Sequence, residues 1–334
     1  MTAGPATIEA PPRPEARTNG APAPARPAKK RMLIIVNPYA TTVSDRLKNL
    51  VVYALQGRYD VEAVLTEAQH HATEIGREAC VGGYDIVVAF GGDGTLNEVA
   101  NGLAGTDVPV SVLPGGSTNV VCRTLGIPND VVDATEHLLG VADDFRPRRI
   151  DLGVANGRRF VFACGAGLDA TAAKRVDSHP RMKARGGRWY YTWAAVSGFY
   201  GRYLRNPVRI RLDVDGRQAE GITTIVQNSD PFTYFGRRPI RVAEGGALDS
   251  GTLALAVLKR ATLLEMPTLI PRIFSGRPTS VLQHRQVQGF EPLERFRVVS
   301  TGDQPFPLQV DGDYVGEFDE AAYEAAPLSL TVVS

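Results

Sequence analysis

Gly91-Gly92-Asp93-Gly94-Thr95 stands directly between a short apolar run and a helical pattern. Glycines at such a junction let backbone amides approach phosphate oxygens, and the helix that follows offers its positive N-terminal end. Asp93 is compatible with that ligand if a magnesium ion or a ribose hydroxyl sits beside it. A tight turn without a ligand is the plainer reading, but three glycines around one acid exceed what turning requires. The next apolar run ends in a second turn, Pro114-Gly115-Gly116-Ser117-Thr118-Asn119. Two such turns at the ends of neighbouring parallel strands would converge on one ligand. Asn37-Pro38, after the first apolar run, reads as a plain turn more readily than as a phosphate contact. Neither glycine turn is a Walker loop or GxGxxG, which disfavours Walker-type NTPases and Rossmann dehydrogenases. Without the Walker lysine, phosphate charge falls to backbone dipoles, magnesium and an arginine from elsewhere. Arg123, one turn into the second glycine-led helix, is a candidate, although a solvent-facing role ranks ahead of it.

A hydroxyl nucleophile needs somewhere to send its proton, so a carboxylate within hydrogen-bond reach is the minimum requirement for phosphoryl transfer to an alcohol. Asp311 and Asp313 fit that role. They straddle Gly312 after a strand, so that one can face substrate while the other faces solvent or metal; a polar β-turn is the competing reading. His70 and His71 open a helix, as phosphate contacts or as caps.

These residues need a frame. Apolar strands at Met32–Val36, Val61–Leu65, Asp85–Phe90 and Val110–Leu113 alternate with helical patterns over Thr42–Arg58, Ala72–Ala79, Asn97–Leu103 and Ser117–Leu125, which predicts a doubly wound parallel α/β domain. After Arg148 the texture turns β-rich, with strands expected at Phe160–Ala163, Val208–Val214, Ile222–Gln227, Leu253–Leu258, Phe296–Ser300 and Leu308–Val310. Helical stretches near Arg188–Leu204 and Thr262–Phe274 interrupt them. The expected division is a Pro/Ala-rich tail over residues 1–30, a nucleotide-binding α/β domain over 31–148 and an antiparallel β-sandwich-like domain over 149–334. The active site then falls in the cleft between the two domains.

In this chain of 334 residues Lys plus Arg (37) nearly balance Asp plus Glu (36), so no global field favours nucleic acid. Cys80, Cys122 and Cys164 have no metal-ligand spacing and read as buried reduced thiols. The tail lacks the apolar core of a secretory signal, and no apolar run approaches the roughly twenty residues that cross a bilayer. The expectation is a cytoplasmic protein, peripheral on the inner face of the plasma membrane. Membrane contact is expected through Lys174–Tyr203, where Lys174, Arg175, Arg181, Lys183, Arg185 and Arg188 precede an aromatic stretch; a core helix with a basic flank is the alternative.

The run Gly91-Gly92-Asp93-Gly94-Thr95-Leu96-Asn97-Glu98-Val99-Ala100-Asn101-Gly102-Leu103 resembles the diacylglycerol kinase and sphingosine kinase family of lipid kinases, in particular its soluble bacterial members. Asn37-Pro38, the Thr66–Ala72 stretch, Pro114–Asn119, Ile150–Gly153, Gly165–Ala170 and Asp311-Gly312-Asp313 follow in that family's order. The resemblance implies an ATP- and magnesium-dependent kinase acting on a lipid hydroxyl at a membrane surface. It implies a nucleotide site of Asn37, Pro38, Thr66, Gly91–Thr95, Asn97, Glu98 and Gly115–Asn119, with Asp313 or Asp311 as proton acceptor. Asp249, in a loop similar to the family's structural magnesium loop, joins Asp151 and Asp93 as implied metal residues. The chain departs from the family at Asp313 (often Glu), Ser250 (often Asp) and Val120 (frequently Asp). An NAD kinase-like nucleotide kinase and a non-catalytic ATP- or lipid-binding regulator are the alternatives.

Overall fold

Met32–Val36, Ile86–Gly91 and Val110–Pro114 are buried along their whole length, as expected of strands covered on both faces. The computed structural model describes residues 28–177, 207–214, 217–262 and 264–334. In its N-terminal half β1 (Lys30–Val36), α1 (Asp45–Leu55), β2 (Tyr59–Leu65), α2 (His71–Val81), β3 (Ile86–Gly91), α3 (Asp93–Leu103), β4 (Val110–Pro114), α4 (Val120–Thr124) and α5 (Val131–Val141) follow one another. The strands pair in parallel in the order β2-β1-β3-β4. Helix α1 starts where the Ser44 side chain accepts the Leu47 N–H, and α5 where Asp130 accepts those of Val132 and Asp133. Neighbours β2 and β3 lie on opposite sides of β1, so the winding reverses at the carboxyl ends of β1 and β3, the crevice where open α/β sheets take their ligands.

The second half adds β5 (Arg148–Ala155), β6 (Arg158–Phe160), β7 (Ala163–Gly167), α6 (Leu168–Asp177), β8 (Ile210–Val214), β9 (Arg217–Gly221), β10 (Thr223–Gln227), β11 (Thr233–Phe235), β12 (Arg238–Ile240) and β13 (Leu253–Leu258). Then come α7 (Met266–Ile273), α8 (Pro278–Leu282), β14 (Val287–Leu293), β15 (Arg295–Ser300), β16 (Phe306–Val310), β17 (Asp313–Phe318) and β18 (Glu320–Val332). An antiparallel sheet ordered β14-β13-β10-β7-β16-β17 packs against β5, β8, β15 and β18, burying Cys164, Leu255, Phe296, Leu308 and Tyr323 between the layers. The expected antiparallel sandwich is present. The 13-residue β18 pairs antiparallel with β5 and β15, and its end runs parallel to β4, so one ten-stranded sheet passes through both lobes. Leu330, Val332 and Val333 consequently pack in the N-terminal core.

No described helix is long and apolar enough to cross a membrane. Cys122 and Cys164 are buried free thiols, whereas Cys80 is half-buried. The helix expected near Arg188–Leu204 lies outside the described residues.

Candidate active site

The two glycine turns touch. Gly115 N–H donates to Gly91 O at 2.7 Å. A Cβ added to Gly115 would lie 2.8 Å from Gly91 Cα, and one added to Gly116 would lie 2.9 Å from Gly92 Cα. Backbone stacked on backbone is therefore a structural reason for these glycines, beyond the ligand approach that motivated the sequence reading. Gly94 has another reason, since its Cβ would stand 2.5 Å from Asp313 Oδ2. Gly115→Ala must push two backbones apart, because its closest contact is the Gly91 backbone, which no movement of the neighbouring Val43 side chain relieves. The expected cost is about 2 kcal/mol of stability with at least roughly tenfold weaker ATP binding, read by thermal melting and equilibrium titration.

The turns differ in what they leave open. Asp93 Oδ2 accepts the Val120 N–H at 3.0 Å and Oδ1 that of Val121 at 3.3 Å, so the carboxylate of the first turn caps the helix of the second. Asn119, left-handed at φ 49°, accepts the Gly116 N–H and donates to Gly116 O, each at 2.9 Å. Gly92, the N-cap of α3, has no side chain to offer its helix. The uncapped helix start facing the crevice is thus that of α3, with the exposed Ser117 and half-buried Thr118 opposite. Burial pushes the Asp93 carboxyl up to about 6; the N–H groups of Val120 and Val121 oppose the rise and the nearby Asp313 carboxylate adds to it.

Asp311 and Gly312 form the two-residue turn between β16 and β17, with φ of 48° and 90° as a type I′ hairpin demands. The Asp311 side chain points inward and is 4% exposed. Its Oδ2 accepts from Val161 N–H and Asn97 Nδ2, both at 2.7 Å, and its Oδ1 from the N–H groups of Phe162 and Ala163 at 2.9 and 3.0 Å. Burial pushes this carboxyl up to about 6 against the pull of those donors. The two acids left open by the sequence are therefore separated: Asp311 is enclosed, and half-buried Asp313 stands over Gly94.

Asn37, just past the end of β1, reaches the first turn of α3, its Nδ2 donating to Thr95 Oγ1 at 3.0 Å and its Oδ1 accepting the Tyr39 N–H, with Pro38 between. Thr66 sits beside them, its N–H on Val36 O. Two residues of the implied nucleotide set are placed elsewhere. Asn97, 2% exposed, donates to Arg159 O as well as to Asp311. Glu98 accepts the N–H groups of His70 and Ala72 and so caps α2. His71 Nδ1 takes the Glu67 N–H, a local structural contact.

The implied metal residues are also distributed. Asp151, 1% exposed, accepts Gly251 N–H at 2.6 Å and Leu328 N–H at 2.8 Å. Ser250 Oγ donates to Ala247 O, and Asp249 on the same loop is exposed. The loop is held by protein hydrogen bonds, and among the described residues no three His, Cys, Asp or Glu cluster to hold a metal.

Arg123 is not solvent-facing: it donates to Gly236 O at 2.7 Å and lies over the Tyr234 ring, fastening the β11–β12 hairpin to α4. Lys174 pairs with Glu317 at 2.8 Å. Arg181, Lys183, Arg185, Arg188 and the aromatic stretch after them lie outside the described residues. Sequence reasoning also passed over Asp169 and Gln309. Gln309 donates to Asp169 Oδ2 and accepts the Gly312 N–H, both at 2.7 Å, which braces the turn leading into Asp313. Burial pushes the Asp169 carboxyl up. Its sequence signal was present, an acid two residues after Gly167 at a strand-to-helix junction, as Asp93 follows Gly91.

Comparison with known proteins places this geometry. Residues 31–154 match the diacylglycerol kinase catalytic domain, and residues 163–334, just over half of the chain, match the YegS C-terminal NAD kinase beta sandwich-like domain. A diacylglycerol kinase of Bacillus subtilis (strain 168) is 29% identical over 86% of this chain and 91% of its own length. One from Staphylococcus aureus (strain bovine RF122 / ET3-1) is 28% identical over 86% and 88%. A crystal structure of a diacylglycerol kinase from Bacillus anthracis str. Sterne superposes with a TM-score of 0.64 at 19% identity, covering 91% of this chain and 96% of that one; at that identity the likeness is one of fold.

Proposed function

Since this chain belongs to the lipid kinase family that joins a diacylglycerol kinase catalytic domain to a YegS-type C-terminal sandwich, we propose that it phosphorylates diacylglycerol with ATP, using Asp313 as the base. The observation that carries the reading is the position of the Asp313 carboxylate over Gly94, at the start of the uncapped helix α3. A triphosphate gripped by the N–H groups of the Gly91–Thr95 turn, with Ser117 and Thr118 facing it, has its terminal phosphate beside that carboxylate. The acceptor hydroxyl gives its proton to Asp313 as its oxygen bonds to the γ-phosphorus, and the bond to the β-phosphate oxygen breaks to release ADP.

Magnesium would be held at Asp93. One carboxylate with triphosphate oxygens and water is a set this ion accepts, and a carboxyl raised by burial and a like-charged neighbour would be relieved by a cation. When bound, the ion supplies charge neutralisation on the phosphates. Diacylglycerol is the acceptor named for the Bacillus subtilis and Staphylococcus aureus relatives. Incubating the purified protein with labelled ATP, magnesium and either total lipid extract or NAD tests the reading. Label should appear in phosphatidic acid. Label in NAD and in no lipid would overturn the assignment.

A further inference from the structure

We propose that helices α7 and α8 form a docking surface for anionic phospholipid headgroups. The purpose of such a surface rests on the lipid-kinase reading, whereas its test does not. In a chain with net charge +1, residues 259–286 carry Lys259, Arg260, Arg272, Arg277 and Arg285 against a single acid, Glu265. That acid is 8% exposed and already bound by Arg285 at 2.5 Å and Gln286 at 2.9 Å. The field over this face is therefore positive, which is what an anionic bilayer attracts.

The same face exposes apolar groups. Helix α7 buries Leu269 and α8 buries Val281 in a shared cluster with Ala254 and Ala256 of β13. On the outer side Leu264 is 85% and Ile270 44% exposed, with Pro267 and Pro271 exposed beside them. Pro267, Ile270 and Pro271, spaced by three and four residues, share one face of α7, and Leu264 stands in the turn just before its N-cap Glu265. Exposed apolar groups with Arg272 and Arg285 beside Leu264 have the makeup of a segment lying in the headgroup region, and the excess of cations over residues 259–286 favours an anionic bilayer over an apolar protein partner.

Beside these groups lies a cavity of about 380 Å³, lined by Leu264, Thr268, Arg272, Gln283, His284 and Arg285. Arg272 gives one N–H to Ser280 O and Arg285 binds Glu265. A guanidinium carries five N–H donors, so both retain donors for a phosphate oxygen. The surface is tied to the catalytic lobe. Phe274, at the end of α7, meets the Phe235 ring edge-on at 5.2 Å between centroids, and the β11–β12 hairpin holding Phe235 is the one Arg123 fastens to α4. A bilayer engaged by α7 and α8 is thus held in fixed relation to the second glycine turn.

Co-sedimentation without nucleotide, using vesicles of phosphatidylcholine alone and of phosphatidylcholine with phosphatidylglycerol, tests the surface. The wild type should prefer the anionic vesicles. Leu264→Glu with Ile270→Glu should weaken that binding at least roughly tenfold, and Arg260→Gln with Arg277→Gln roughly fivefold per cation removed. Both pairs should keep wild-type melting and wild-type phosphorylation of detergent-dispersed short-chain diacylglycerol, since neither touches the glycine turns. Equal wild-type binding to both vesicles, or unchanged binding by both variants, would overturn the proposal. Vesicle binding lost in the variants of a protein that phosphorylates no lipid would support the surface and sink the reaction instead.

Discussion

Replacing Asp313 by Asn is expected to lower kcat roughly 10²- to 10⁴-fold while ATP affinity stays close to that of the wild type. Asparagine keeps the size of the group over Gly94 and the strand pairing of Asp313 with Val310, so the hairpin remains in place. What it loses is the capacity to take a proton. It also removes a negative charge that raises the Asp93 carboxyl, so nothing in the substitution weakens the grip on the triphosphate. Rate and affinity should therefore separate, with single-turnover transfer measuring the first and equilibrium titration with magnesium ATP the second. Turnover near the wild-type value would remove Asp313 from the proton path. A parallel loss of ATP binding would instead place this side chain in the nucleotide site.

The strands that carry the glycine turns were legible because local signals agreed with the tertiary outcome. Met32–Val36 and Ile86–Phe90 are continuous apolar runs, and Leu253–Leu258 falls where expected. Strand β18 was not legible. Glu320–Ala326 is rich in Ala and Glu, which favour helices, and Pro327 follows, so only pairing with β5, β15 and β4 makes it a strand. The expected strand Phe160–Ala163 breaks at Val161 and Phe162, because their N–H groups, with that of Ala163, turn to the Asp311 carboxylate.

The polar motif residues show a different limit. Asn97, Glu98, Asp151 and Asp311 are as polar as ligand contacts must be, but a buried junction between two lobes needs polar side chains equally, to satisfy backbone groups that leave their ladders. Residue type and spacing do not separate those two demands. Burial and partners do, as Asn97 and Asp311 show by spending their hydrogen bonds on each other and on the chain around Arg159–Ala163. Asn37, by contrast, stands at the tip of β1 against Thr95 in the first turn of α3, where a ligand reading and a turn reading predict the same position.

The enclosed aspartate has the larger structural consequence. Asp311→Ala is expected to destabilise the protein by about 4 kcal/mol, since three backbone N–H groups and the Asn97 amide lose their acceptor in an interior that water does not reach. A shift of that size lowers the melting temperature by about 10 °C. The damage should not stop at stability. Asp311 is the residue before Gly312 in the turn that aims Asp313 at Gly94, and its side chain is what fixes that turn to α3 through Asn97. Asp311→Asn, which keeps one acceptor oxygen and the turn's tolerance for positive φ, should fall between wild type and Ala in melting temperature. If Asp311→Ala melted within the error of the wild type, the four hydrogen bonds would be replaceable by solvent and the junction would not be the rigid support assigned to it. If Asp311→Asn melted normally but lost turnover as completely as Asp313→Asn, the enclosed carboxylate would itself belong to the proton path.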